Sequence, residues 1–313
     1  MAKGDKNPVV MTGDIDSTVA KKLHAPQHAA GGSDPITPQM IGAAVNDNLL
    51  DNGYFLNLVN QRGQTEYRGA VQGVDRWFGL GAYSVAQVTE FGLRVYTTAD
   101  ASAFCRQRLE FPAQYLGRKV TLSVLAARTD TMQFTLSKKT VQLPDVFPDE
   151  TTELGRASIA ILNISSTNIW VDFVTKVDYT IAAVKLELGD TQTLAHQDES
   201  GNWVLNEIPD YGEELAKCQR YQCKLEKGGY FRSEHTTTNS LVFSVPVPVT
   251  LRATPTIIGA MRVYSGASQS GFTFSVAYST GTGYAQISAL KDGHGLSEAV
   301  LCLDETIILD ANV

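Results

Sequence analysis

The sequence is poor in cysteine, histidine and clustered basic charge, and it has no long apolar run. Its cysteines, Cys105, Cys218, Cys223 and Cys302, lack the paired C-x-x-C spacing of a structural zinc site and read as reduced thiols. The histidines, His24, His28, His196, His235 and His294, fall in predicted loops or the N-terminal segment, and none belongs to an H-E-x-x-H helix. Lys and Arg total 26 against 33 Asp and Glu, a formal net charge of -7. With no basic tract dense enough to track a phosphate backbone, nucleic acid is not an expected partner. No apolar stretch reaches the about 18 residues of a membrane span, and MAKGDKNPVVMTGD lacks the apolar centre of a secretory signal. Membrane insertion is not expected, and synthesis in a cytosol is.

Signatures of catalysis are also missing. There is no G-x-S-x-G elbow, no Walker loop and no G-x-G-x-x-G following a strand. GASQSG, from Gly266 to Gly271, has the wrong spacing for a nucleophile and reads as a polar hairpin loop. Asp190, Asp198, Glu199 and Asn202 lack the alternating ligand positions of a calcium loop and read as a solvated linker. The carboxylate pair of a glycosidase is set by fold and not by sequence spacing, so a polysaccharide-cleaving sandwich remains an alternative. No cofactor and no metal are expected.

What the chain does contain is a polar head followed by many short runs of period two. Residues 1–47 hold few large apolar side chains and many Gly, Pro, Asp and Lys, too little to offset the entropy of ordering alone. Thr37 before Pro38 is a helix start, and a short helix over Pro38 to Val45 is expected. His24 and His28 are four apart, but Pro26 breaks any helix between them, which argues against a metal site within one chain. On a threefold axis the pair would supply a ring of imidazoles, although polar packing in a connector is the plainer reading.

From 48 to 190 the pattern predicts an antiparallel sandwich, most simply a jelly roll. In RKVTLSVLA, Val120, Leu122, Val124 and Ala126 alternate with Lys119, Thr121 and Ser123, which predicts a half-buried strand. Further strands are expected over Gln87 to Tyr96, Phe104 to Phe111, Thr131 to Leu136, Ser158 to Ile164, Asn168 to Val174 and Tyr179 to Leu188. Residues 191–210 read as a linker. Residues 211–313 open with a short helix in YGEELAKCQRYQ and continue as a smaller β-sandwich. Its strands are expected over Ser240 to Pro246, Thr256 to Val263, Phe272 to Tyr278, Tyr284 to Ala289 and Ala299 to Leu309. The fold class is therefore all-β.

Aromatic residues are the candidates for stacking on sugar rings. Trp77 and Trp170 are expected in the sandwich core, and Trp203 is expected to dock the two domains together. That leaves Tyr264, Tyr278 and Tyr284 as the candidate carbohydrate-binding surface.

HAPQHAAGGSDPITPQMIG (His24 to Gly42), NLLDNGYFLNLVNQRGQTEYRGAVQGVDRWF (Asn48 to Phe78), AAVKLELGDTQT leading to YGEELAKCQRYQ (Ala182 to Gln222) and LRATPTI (Leu251 to Ile257) occur in this order. Together they resemble tail-fibre and receptor-binding proteins of tailed bacteriophages and prophages. One departure is that Gln222 and Cys223 follow Tyr221, where such proteins often carry a second aromatic. The resemblance implies a homotrimeric virion protein with an attachment segment, a carbohydrate-binding-like jelly roll and a C-terminal β-domain. Other virion proteins and a bacterial surface glycan would be its partners. His24, His28, Gly31, Gly32, Asp34 and Pro35 would then belong to the connector, where small residues and glycines let three chains approach closely. The function expected is non-enzymatic host attachment by a tail or baseplate fibre, with a capsid head fibre or decoration protein as a second alternative. The resemblance carries over no residue-level receptor motif.

Overall fold

Strands form here where β-branched and aromatic residues alternate with polar ones, and turns where Gly, Asp and Asn interrupt them. The structure is a computed structural model that describes residues 46–280 and 283–311, without the side chains of 277–280. The connector residues His24, His28, Gly31, Gly32, Asp34 and Pro35, and the helix expected over 38–45, lie outside the described residues. Residues 47–313 form one unit that contains both sandwiches.

The first sandwich has eleven strands. In chain order they are β1 (Glu66–Arg68), β2 (Phe78–Gly79), β3 (Ser84–Thr89), β4 (Gly92–Thr97), β5 (Ala103–Arg108) and β6 (Lys119–Arg128). There follow β7 (Thr135–Gln142), β8 (Thr152–Ala157), β9 (Ala160–Ile164), β10 (Ile169–Thr175) and β11 (Tyr179–Leu188). One sheet runs β1-β3-β4-β11-β6-β7 and the other β2-β5-β10-β9-β8, all antiparallel. The nesting of early with late strands, β4 beside β11 and β5 beside β10, is that of a jelly roll; β6-β7 and β8-β9-β10 are local hairpins. Between the sheets Trp77 stacks on Phe173 at 4.8 Å, and Phe55 meets both edge-on at 5.5 and 6.0 Å.

Besides the strand expected over Thr131 to Leu136, which begins only at Thr135 and runs to Gln142, three expectations change on this side of the molecule. The strand expected over Gln87 to Tyr96 is a hairpin, turned at Glu90 and Phe91. Gly92 closes that turn at φ +122°, and a Cβ there would lie 2.1 Å from the Ile181 carbonyl oxygen. Secondly, β6 is not half-buried: Val120, Leu122, Val124 and Ala126 face the core, while Thr121 and Ser123 on the opposite face are fully buried as well. Lys185 and Glu187 of β11 share this second buried face.

The third change supplies the cover. Residues 195–205, in what reads as a linker, form the hairpin β12 (Ala195–Gln197) and β13 (Trp203–Leu205). Its turn is held by Asp198, whose Oδ1 accepts from the backbone N–H of Ser200 at 2.9 Å and of Asn202 at 2.8 Å. Leu194, Ala195, Trp203 and Leu205 pack with Tyr54, Leu125, Phe134, Leu136 and Ala182 in a small second core on the outside of the first sheet. Trp203 therefore covers the first sandwich and does not dock the two domains. Beneath the hairpin Lys185 Nζ donates to Glu207 at 2.6 Å, and Glu187 accepts from Thr193 N–H at 2.7 Å and Thr193 Oγ1 at 2.6 Å. Each buried charge thus has a partner.

The second sandwich begins at helix α1 (Tyr211–Gln219), capped by the Asp210 carboxylate, which accepts from Glu213 N–H. Its strands are β14 (Gln222–Leu225), β15 (Tyr230–Thr236), β16 (Ser240–Pro246), β17 (Thr256–Ile258) and β18 (Met261–Ser265), then β19 (Ala267–Gln269), β20 (Thr273–Thr280), β21 (Tyr284–Leu290), β22 (Val300–Leu303) and β23 (Ile307–Asp310). A three-stranded sheet, β14-β23-β17, faces a seven-stranded one, β19-β18-β22-β15-β16-β21-β20, across a core that includes Phe243, Ile287, Leu301 and Leu309. The single strands expected over Thr256 to Val263 and Ala299 to Leu309 each break and change sheet at a shared corner. Asp304 N–H donates to the Ala260 carbonyl at 3.2 Å, and Ala260 N–H to Glu305 at 2.6 Å. Gly259, at φ +121°, makes that corner possible, since a Cβ would come 2.7 Å from Ile307 Cδ1.

Candidate functional site

The segment before β2 contains little regular structure, and hydrogen bonding to α1 and β14 explains its shape. Asn52 N–H donates to the buried Glu214 carboxylate at 2.7 Å. Gln61 Nε2 donates to the Gln222 carbonyl at 2.7 Å, and Arg62 reaches Gln222 Oε1 at 2.9 Å and Asp310 at 3.3 Å. Gln222, which departs from the expected aromatic, is thus a joint residue. Asp75 anchors the same loop, accepting from Gln61 N–H at 2.7 Å and Gln61 Nε2 at 2.5 Å. Burial raises the Asp75 carboxyl above its ordinary range, against the lowering effect of the Gln61 bonds.

Beside these contacts lies a cavity of about 260 Å³ between the sandwiches, lined by Gln72, Arg76, Phe78, Arg108, Leu109, Glu110, Asn168, Tyr221 and Arg252. Arg76 is in the left-handed region at φ +70°, which an ordinary side chain adopts only at a cost of about 1–3 kcal/mol. Three contacts hold it there: Nε donates to Asp51 at 2.8 Å, Nη2 donates to the Arg108 carbonyl at 2.9 Å, and the guanidinium lies 3.4 Å from the centroid of the Tyr221 ring. Arg252 also lies over that ring, at 5.0 Å. Arg220 forms a two-pronged pair with Glu110 at 2.9 and 3.0 Å. Tyr221 is 2% exposed, and its hydroxyl has no hydrogen-bond partner. Burial pushes its phenol well up, despite the nearby Arg76 charge.

The charge around this cavity is uneven. Arg76 is paired with Asp51 and Arg220 with Glu110, whereas the exposed guanidiniums of Arg108 and Arg252 have no carboxylate partner among the described residues. A local positive excess therefore sits on a chain of net charge -7.

The tyrosine surface is more dispersed. Tyr264 is 42% exposed and lines a shallow hollow with Arg232, Ser233 and Glu298; Tyr284 is 55% exposed. They stand on β18 and β21, with β22, β15 and β16 between them, a separation of about 19 Å across the sheet. Tyr278 is on β20 opposite Gln286 of β21, and its side chain is outside the described part. Trp77 is fully buried between the sheets as expected. Trp170 is buried too, but on the outer face of its sheet, with Arg106 4.5 Å over the ring and its indole N–H donating to Asp172 at 2.8 Å. All four cysteines are free and buried, as the reading of reduced thiols expects.

The arginine cavity escapes a search for aromatics, because its residues come from five separated segments. A signal does exist in the sequence: Arg76 in VDRWF, Arg220 and Tyr221 in CQRY, and Arg252 in LRATPTI all lie in stretches that carry the fibre resemblance. The fold gathers those three stretches around one cavity. No protein-family model, curated protein or solved structure matches the chain. Among the described residues no helix is long and apolar enough to cross a membrane, and no group of three or more His, Cys, Asp and Glu could hold a metal ion.

Proposed function

We propose that the chain is a non-enzymatic attachment protein of a phage particle, a tail or baseplate fibre that contacts bacterial surface glycan. The observation that carries this reading is the joint: three of the four stretches that resemble fibre proteins meet there, fastening two β-sandwiches together beside a polar cavity. A head built this way presents a fixed surface, and residues 1–47 would grip other virion proteins. Three such chains around an axis would raise a modest single-site affinity by about 10² to 10⁴ through avidity.

Complementing a virus that lacks this gene with residues 48–313 tests the division of labour. The expected result is loss of the protein from particles, while the purified truncated chain keeps its thermal unfolding temperature. Normal incorporation of the truncated chain, or mass photometry showing only monomers of the intact one, would contradict the reading.

A further inference from the structure

We infer that the cavity at the joint binds the anionic group of an acidic surface polysaccharide, a uronate carboxylate or a phosphodiester, through Arg108 and Arg252. The inference rests on the glycan-attachment reading and names the class of glycan.

Three observations lead to it. First, the cavity has surplus guanidinium: at the joint Arg62, Arg76 and Arg220 are paired with Asp310, Asp51 and Glu110, whereas Arg108 and Arg252 have no carboxylate partner among the described residues, are exposed, and both line the cavity. A guanidinium matches a carboxylate or phosphate through paired N–H donors, and it is less strongly hydrated than an ammonium. Secondly, the site is built before any ligand arrives. Arg76 is fixed by Asp51, the Arg108 carbonyl and Tyr221, so the backbone of Arg108 is tied to the loop opposite, and the buried Tyr221 ring supports Arg252. Preorganisation of this kind lowers the entropy cost of binding. Thirdly, the other lining groups suit a sugar: Phe78 offers a ring, and Gln72 and Asn168 offer amides for hydroxyl groups. A volume of about 260 Å³ falls just below the range of about 300–1,000 Å³ of small-molecule sites, which fits one charged residue of a polymer whose remainder stays outside.

The net charge of -7 sharpens the inference. Non-specific attraction of a polyanion to this chain is unfavourable at long range, so binding of an anionic polymer has to come from a local site. Added salt should weaken that binding, because both guanidiniums are exposed.

The experiment titrates the full chain by calorimetry with three probes: oligogalacturonate, its methyl ester and a glycerol-phosphate oligomer. Arg108→Gln, Arg252→Gln and their double variant are compared with wild type, with Arg128→Gln, an exposed arginine of the first sandwich away from the cavity, as a control on charge alone. Binding of one or both anionic probes is expected, with loss of at least about tenfold in the double variant, no loss in Arg128→Gln and no binding of the methyl ester. Preference between the two anionic probes separates carboxylate from phosphodiester. The arginines over the Tyr221 ring are Arg76 and Arg252, so Arg108→Gln reports on the site even if Arg252→Gln loosens that ring. Equal binding of the methyl ester, undiminished binding by the double variant, or no response to either anionic probe at millimolar concentration overturns the inference. Adhesion to host cells separates this from the broader reading: if wild type and double variant adhere equally well, the cavity assignment fails and attachment stands. If the anionic probes bind but cells do not, the anion site stands and attachment fails.

Discussion

The two sandwiches use the same alternation of residues to different ends. In the second, β16 and β18 bury one face and leave the other partly open, so Leu241, Phe243 and Val245 point inward while Val242 and Ser244 meet solvent. In the first, β6 and β11 are buried on both faces, although Thr121, Ser123, Lys185 and Glu187 alternate with the apolar residues much as Val242 and Ser244 do. The difference comes from the segment around the hairpin β12-β13: the hairpin packs apolar side chains on the outer face, while Thr193 and Glu207 on either side of it pair with Glu187 and Lys185. A polar residue at an alternate position thus says that a face is not the main core, not that it is wet.

The largest expected effect comes from Glu207. Glu207→Ala leaves the fully buried Lys185 ammonium without its counter-charge, which should cost about 3–5 kcal/mol in chemical denaturation. Lys185→Met combined with Glu207→Gln should recover much of that loss. No measurable destabilisation by Glu207→Ala would mean that this face is open, as in the second sandwich.

A matched exchange of β-branched residues sharpens the contrast at smaller scale. Thr121→Val removes hydrogen bonds to Thr140 and to the Gly189 carbonyl inside the covered face and should cost about 1–2 kcal/mol. Val242→Thr on the open face of β16 should stay within about 0.5 kcal/mol. Equal effects at the two sites would remove the distinction.

The smallest effect is electrostatic. Burial alone would raise the Asp178 carboxyl, but hydrogen bonds from Arg94 and Thr129 outweigh it and hold that group below its ordinary range. Its stabilising contribution is present above the unfolded carboxylate value of about 3.9 and is lost as pH falls through the lower folded value. Both partners are about a third exposed, so Asp178→Asn should flatten the acid limb of the stability profile by less than about 1 kcal/mol. The more exposed Arg262–Asp304 pair of the second sandwich should matter less, within about 0.5 kcal/mol for Asp304→Asn.

Much of the architecture is legible in the sequence. The all-β class follows from alternation, Tyr179–Leu188 and Ser240–Pro246 coincide with β11 and β16, and YGEELAKCQ is the helix its charges suggest. What alternation misses is long-range: the corner at Gly259 and Ala260, where two strands change sheets together, depends on Thr306 and Ile307 packing against it. DESGN reads as linker because a turn held by Asp198 and a solvated loop have the same composition. The candidate site was hidden for a related reason. Tyr264 and Tyr284 advertise themselves as exposed aromatics, while Arg76, Arg108 and Arg252 gain meaning only when the fold sets them around Tyr221.

Adhesion of the intact chain to host cells, measured before and after enzymatic removal of their surface polysaccharide, separates glycan attachment from attachment to any other receptor. Adhesion should be lost with the polysaccharide; undiminished adhesion to stripped cells would overturn the proposal.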